Sequence, residues 1–396
     1  MAALARSVPP RPPLYLVGAI AALAVAAIPL GALLAQSGPA PFTVTETGRG
    51  YAHLQQAIDA IGERKGTIAI APGHYAECAV QEKGDVAYLA TDLGTAVFDG
   101  RTCEDKAALV LRGRAAQVAG LVFQNMRVPD FNGAGIRLEH GDLTVAETWF
   151  RDSQQGILTA EDAHGRIVVD RSTFTRLGTC EGGGGCAHSI YVGDYGQLRV
   201  TRSRFEEGRG GHYLKSRAAR TDVAASSFDD VRGKATNYMI DLPNGATGQI
   251  SNNWFVQGQD KENYSAFIAV AAEGKGHSSA GLTIVGNDAR LAPGVERNTT
   301  FVADWSGDRL ALGDNTLEAN RRLGFPAEAR DFPIAARMLE LLGVRAVRLL
   351  TNNPAKVAAL QAAGIAVAER VPHHLPANPH NERYLATKRD AAGHLL

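Results

Sequence analysis

The chain has 396 residues with 41 Lys+Arg against 41 Asp+Glu, a formal net charge of zero at pH 7, so no overall field favours nucleic acid or an acidic partner, and only a local patch is left to attract one. Hydrophobic residues make up 45% of the sequence, enough for large cores, and the length admits two or more domains or one solenoid with an appendage. With 43 Gly against 13 Phe, the composition suits a fold with many tight corners.

Residues 1–13 carry Arg6 and Arg11, and the next stretch, 14–35, holds no charge over 22 residues. As a helix it is long enough to cross a hydrocarbon core. Only Arg49 lies close behind it, a bias that keeps the N-terminus inside and sends the rest outward. Pro29 and the small residues Ala32 and Ala35 leave two outcomes open: a retained transmembrane anchor or a cleaved signal peptide. In both, the bulk is expected outside the cytoplasm, periplasmic or held at the inner membrane.

After a linker at 36–47, residues 51–61 (YAHLQQAIDAI) place Leu54, Ile58 and Ile61 on one helical stripe. Residues 67–75 then alternate as a strand into a Pro-Gly turn. From Val118 to Asn287 one phrase recurs: a β-branched strand, a polar corner, then an aromatic. Its marker residues are Phe123, Phe150, Phe174, Phe205, Phe228 and Phe255, spaced in the twenties to low thirties. Such a period predicts a parallel β-solenoid, because each short coil buries its apolar face only by stacking on its neighbours. A leucine-rich repeat shares the period but needs a Leu and Asn consensus that is absent.

The opening at Leu54 to Ile58 and Thr67 to Glu77 resembles the N-terminal cap and first coil of the pectin-lyase-like right-handed β-helix superfamily. That resemblance implies a mainly β, right-handed parallel β-helix over 48–312. It leaves the substrate open, since the fold hosts lyases, hydrolases, epimerases and adhesins.

Cys78, Cys103, Cys180 and Cys186 suit an oxidising compartment. Neighbouring coils would join Cys78 to Cys103, and Cys180 to Cys186 would close the loop TCEGGGGC; four separate buried thiols are the alternative. No Cys/His spacing suggests a metal site. The glycine run 182–185 lacks a following GK[ST] and reads as a loop, not a phosphate cradle.

The coils around residues 188–245 carry the most chemistry. HSIYVGD (188–194), HYLKSRA (212–218) and YMIDLPNG (238–245) align with Ile190, Leu214 and Ile240 pointing inward. Alternation then sends Tyr191, Lys215 and Asp241 outward as one exposed row, about 4.8 Å apart. His212 starts its strand and Arg217 follows Lys215 by two. A cation to neutralise a uronate carboxylate, a base and an acid are what polysaccharide elimination needs, so Lys215, Arg217, His212, Tyr191 and Asp241 are the candidate catalytic set. An inverting glycosidase needs paired carboxylates, and Asp241 has no clear second partner in the sequence. The plainer reading is a surface ion pair of Lys215 and Asp241 with histidines serving the turns.

From residue 313 the pattern turns helical. The segments 314–325, 327–332, 347–356, 364–372 and 378–396 resemble the C-terminal part of GTP cyclohydrolase II, of riboflavin biosynthesis. The resemblance implies a nucleophile at Arg330, a proton acceptor at Glu328, where the family has Asp, and GTP contacts from Thr351 and Lys356. The family's zinc is held by three cysteines of an N-terminal half that is not found here. Neither zinc nor GTP is therefore expected to be bound unless this tail functions. Helices at 334–342 and 355–363 and strands at 347–350 and 365–370 are predicted to form a small α/β unit, with Met338, Leu339 and Leu342 as its first helix's core stripe.

Three readings follow. The chain is an exported or membrane-anchored β-helix protein acting on an acidic polysaccharide; or a non-catalytic module binding an envelope glycan; or a GTP cyclohydrolase II relative.

Overall fold

The computed structural model describes residues 40–182, 185–317, 333–372, 389 and 395. The expected anchor or signal segment at 14–35 lies outside them. Among the described residues no helix is long and apolar enough to cross a membrane.

Residues 42–317 wind into a mainly β, right-handed parallel solenoid of about 9 turns. Its strands assemble, among the described residues, into sheets of twelve, ten and nine strands, here the first, second and third sheets. Within each, a strand pairs in parallel with the equivalent strands of neighbouring coils, except that Phe42–Val44 and Arg49–Tyr51 extend the first sheet as an antiparallel cap. The helix Leu54–Ile61 lies against the first strands with Leu54, Ala57, Ile58 and Ile61 buried, as its stripe predicts.

The recurring Phe forms the spine. Phe123, Phe150, Phe174, Phe205, Phe228 and Phe255 are fully buried and stack ring on ring, with centroids 5.3, 5.0, 4.7, 4.6 and 4.9 Å apart. Each stacked pair adds about 0.5–1.5 kcal/mol beyond the area it buries. A polar ladder runs beside it at the corner: Ser172 N–H donates to Ser203 Oγ, Ser203 N–H to Ser226 Oγ, and Ser226 N–H to Asn253 Oδ1. The backbone donors of three buried corners are thereby satisfied.

From Gly94 onwards, the corner between the first and second sheets carries a left-handed residue in each coil. Gly120 supplies it once, but the next three coils use Glu147 (φ 50°), Arg171 (φ 45°) and Arg202 (φ 49°). Their N–H groups donate to Asp170, Thr201 and Ala224 of the following coil, so the ladder imposes a conformation these residues disfavour.

Both expected disulfides are present: Cys78–Cys103 between coils and Cys180–Cys186 within a loop. The tail's helices Pro333–Leu341 and Pro354–Ala362 and parallel strands Ala346–Leu350 and Ala366–Val371 form the α/β unit. Its core is Ala336, Leu360 and Ile365, against which Leu339 packs. Met338 and Leu342 are not core residues, being 60% and 74% exposed. Ala336 and Leu339, three residues apart, define the inward stripe, which turns Met338 to another face, while Leu342 lies past the helix's last residue, Leu341.

Candidate functional site

The site lies on the outward face of the third sheet, on strands Ile190–Val192, Leu214–Ser216 and Ile240–Leu242. Ile190, Leu214 and Ile240 pair in register and are fully buried. Tyr191 pairs with Lys215 and Lys215 with Asp241, so the three stand in one outward row on consecutive coils. The row is not open to solvent. Lys215 is 9% exposed and Asp241 only 2%, because loops entering and leaving these strands fold over them.

The cover comes from chain segments remote in sequence. Glu273, on the loop after strand Ala266–Val270, accepts from Lys215 Nζ at 2.5 Å through Oε1 and from Arg217 Nη2 through Oε2. Arg217 also donates from Nε to Tyr191 Oη at 3.0 Å and from Nη1 to Asn244 Oδ1 at 2.5 Å. Beneath this layer Asp241 Oδ2 lies 3.5 Å from Lys215 Nζ and 3.4 Å from His212 Nε2.

The two histidines are neutral. Burial, with Lys215 beside it, pulls His188 down to about 3, and burial with His188 and Lys215 nearby holds His212 well below the imidazole range. The contact between His212 and Asp241 is accordingly not an ion pair. The backbone N–H of His212 donates to His188 Nδ1 at 3.0 Å, which places the His188 proton on Nε2. The rings of His188 and His212 lie 4.9 Å apart, and His212 stacks on Tyr238 at 5.5 Å.

The two carboxyls are driven apart. Burial pushes Asp241 up to about 6 against the pull of Lys215. For Glu273 burial acts in the same upward sense, but the hydrogen bonds from Lys215 and Arg217 outweigh it and the group sits below its usual range. His212 Nδ1 and Asp241 Oδ1 are buried without a hydrogen-bond partner.

Tyr191, Lys215, Arg217, Glu273, His188 and His212 line a cleft of about 410 Å³, with Cys186 of the disulfide loop on one wall. A second hollow of about 280 Å³ on the same face, lined by Lys106, Asp130 and Arg137 among others, shares Asn132 and Leu158 with it. Arg137, Leu158 and Tyr191 pair in register, so a groove follows the row Arg137, Leu158, Tyr191, Lys215 over four coils. A fully buried pair, Lys261 Nζ to Asp230 Oδ2 at 3.2 Å, braces the far rim. Asp230 also accepts from Tyr213 Oη and Thr236 Oγ1, and Lys261 donates to the Asn237 carbonyl.

Sequence reasoning thus placed Tyr191, His212, Lys215, Arg217 and Asp241 together, and the structure brings all five within one site. It missed Glu273, 58 residues from Lys215, for which the sequence carries no signal beyond an acidic residue in a Gly-rich loop. Of the tail residues, Thr351 is buried just before the helix Pro354–Ala362, and Lys356 lies in that helix's first turn. Glu328 and Arg330 lie outside the described residues.

Comparison with known proteins finds two kinds of similarity. Residues 300–372 match the family profile of GTP cyclohydrolase II. The GTP cyclohydrolase-2 of Azotobacter vinelandii is 58% identical over 84 residues, 21% of this chain and 40% of that protein. The chain therefore spans about two fifths of the length of the curated relatives it matches. Among solved structures, rice weevil pectin methyl esterase aligns with 72% of this chain and 92% of its own at 10% identity, with a TM-score of 0.44. The tailspike protein gp49 from Acinetobacter baumannii bacteriophage Fri1, a capsular polysaccharide depolymerase, aligns with 67% of this chain and 58% of its own at 10% identity, with a TM-score of 0.41.

Proposed function

We propose that the solenoid binds an acidic, uronate-bearing polysaccharide along the third-sheet groove and cleaves it by β-elimination. The observation that carries this reading is the convergence of Lys215, Arg217 and Tyr191 on one cleft. The two cations can neutralise the uronate carboxylate, which acidifies the proton on the adjacent carbon. Tyr191 Oη, fixed by Arg217 Nε, takes that proton; the glycosidic C–O bond on the next carbon breaks as a C=C double bond forms, and Tyr191 returns the proton to the leaving oxygen. The neutral histidines serve as polar walls. The groove over four coils suits an extended polymer better than a small metabolite.

In the same proposal the chain is exported or anchored at the membrane through residues 14–35, where an oxidising compartment maintains its two disulfides. The tail contributes no turnover. All four cysteines of the chain are consumed in disulfides, so the three thiolates that the resemblance calls for are not available to zinc. No cluster among the described residues replaces them.

The test is incubation with a panel of uronate polymers, following the ultraviolet absorbance of unsaturated ends, alongside Tyr191→Phe. Absorbance lost in the variant supports elimination. Retained binding without absorbance on any polymer makes the solenoid a glycan-binding module, and neither binding nor absorbance removes the reading.

A further inference from the structure

Glu273 has an unusual position for a cleft residue: its carboxylate spends one oxygen on each of the two cations that face the cavity. Its side chain is nevertheless 45% exposed. The backbone beneath is pinned, with the N–H groups of Glu273 and Gly274 both donating to the Pro243 carbonyl and His277 N–H to that of Asn244. Side-chain torsion alone can therefore carry the carboxylate out, with no loop opening. A Cβ on the neighbouring Gly274 would meet nothing within 4 Å.

Lys215 and Arg217 are presented from one strand and its continuation, two residues apart, so their heads reach the same point above the sheet. A pair of donors set to hold both oxygens of a carboxylate is selective for that planar group. Resting on the polysaccharide reading above, we infer that this pair is the substrate-carboxylate subsite and that Glu273 occupies it in the free protein as an internal stand-in for a uronate. Binding is then an exchange of one carboxylate for another. The cations never face the cleft unpaired, and Lys215 never leaves buried Asp241 as its sole counter-charge. The Glu273 side of the pair is 45% exposed and so open to competition from solvent and solutes, and a polymer whose carboxylate arrives with neighbouring sugar contacts can displace it. A neutral polymer cannot.

The prediction runs opposite to that for a substrate-binding residue. Removing Glu273 should tighten binding, because the fraction of protein with a vacant subsite rises and the apparent dissociation constant falls in proportion. Binding of polygalacturonate, dextran and dextran sulfate would be measured for the whole protein and for Glu273→Gln, Glu273→Ala and Arg217→Ala, with melting curves to confirm folding. The inference expects both Glu273 variants to bind polygalacturonate roughly three- to tenfold more tightly, dextran to bind to none, and Arg217→Ala to lose polygalacturonate. Unchanged or weaker binding in the Glu273 variants, with Arg217→Ala still losing it, overturns the stand-in role and leaves the cleft reading intact. Equal tightening towards dextran sulfate overturns the carboxylate assignment. No binding of polygalacturonate to any folded form overturns both the inference and the reading beneath it.

Discussion

Lys215 Nζ lies 3.5 Å from Asp241 Oδ2 on the adjacent strand, and both side chains are almost wholly withdrawn from water. An exposed row would make Lys215→Ala nearly neutral for stability; this pair does not. The substitution leaves a buried carboxylate without its nearest cation, a change that costs on the order of 2–4 kcal/mol. Because Asp241 can escape by taking up a proton, the penalty should be largest near pH 8 and shrink below pH 6. Urea denaturation of Lys215→Ala at the two pH values measures this. A loss under about 0.5 kcal/mol at pH 8 would return Lys215 to the status of a surface residue.

Asp241 itself should oppose folding at neutral pH. Its carboxyl is raised from the ordinary value to about 6 in the folded chain, so the native state binds more protons than the unfolded state between about pH 4 and 6. Stability is full below that window and falls as pH rises through it. The deficit above pH 7 is on the order of 2–3 kcal/mol. Asp241→Asn should therefore melt higher than the parent at pH 7.5 while matching it near pH 4. A variant less stable than the parent at both values would show that hydrogen bonding by the ionised form, not its desolvation, governs this site.

How far the sequence reaches is visible in these same residues. Ile190, Leu214 and Ile240 set the register, and with it the row of Tyr191, Lys215 and Asp241, because period-two alternation is a local property. The stacked Phe residues announce the coil length for the same reason. Burial of the row was not legible. It depends on Glu273, which belongs to a later coil and reaches back over Lys215 through a loop with no strand pattern. The corners were half legible: turn-forming residues mark some of them, but Glu147, Arg171 and Arg202 adopt left-handed backbone under compulsion from hydrogen bonds to the next coil. In the tail, helices and strands were readable from periodicity, while the inward face of the first helix was not. Met338 and Leu342 are as apolar as any core pair, and only the position of Leu360 and Ile365 selects Ala336 and Leu339 instead.

The disulfide Cys180–Cys186 shapes the cleft because Cys186 lies on its wall. Its loop is short, so its contribution by chain entropy is about 2–3 kcal/mol. Mild reduction should leave the solenoid folded, since the Phe stack and the sheet ladders do not pass through it. It should still weaken polymer binding by loosening the part of the cleft wall that Cys186 forms. Peptide mapping of the purified protein without reductant should recover Cys180 linked to Cys186 and Cys78 to Cys103. Free thiols at 180 and 186 would refute the pairing and weaken the proposed compartment.

The tail is where similarity and chemistry part most sharply. At 58% identity over 84 residues to a GTP cyclohydrolase-2, it retains Thr351 and Lys356 at the nucleotide positions and Arg330 at the nucleophile position that the resemblance assigns. Weak binding of a phosphorylated ligand is consistent with that inventory. Opening a purine ring is a different demand: it requires water made nucleophilic near pH 7, and lowering the pKa of water from about 15.7 to about 7 is a metal's contribution. The family's three zinc cysteines have no counterpart here, the chain's own four are all in disulfides, and His188 and His212 are locked into the cleft wall of the solenoid. The purified chain should therefore take up no stoichiometric zinc and release neither formate nor pyrophosphate from GTP, with or without added zinc. Reductant is the informative control, because it frees the thiols without altering the sequence. Formate release above the protein-free background, abolished in Arg330→Ala, would make the tail the working domain and the solenoid its appendage.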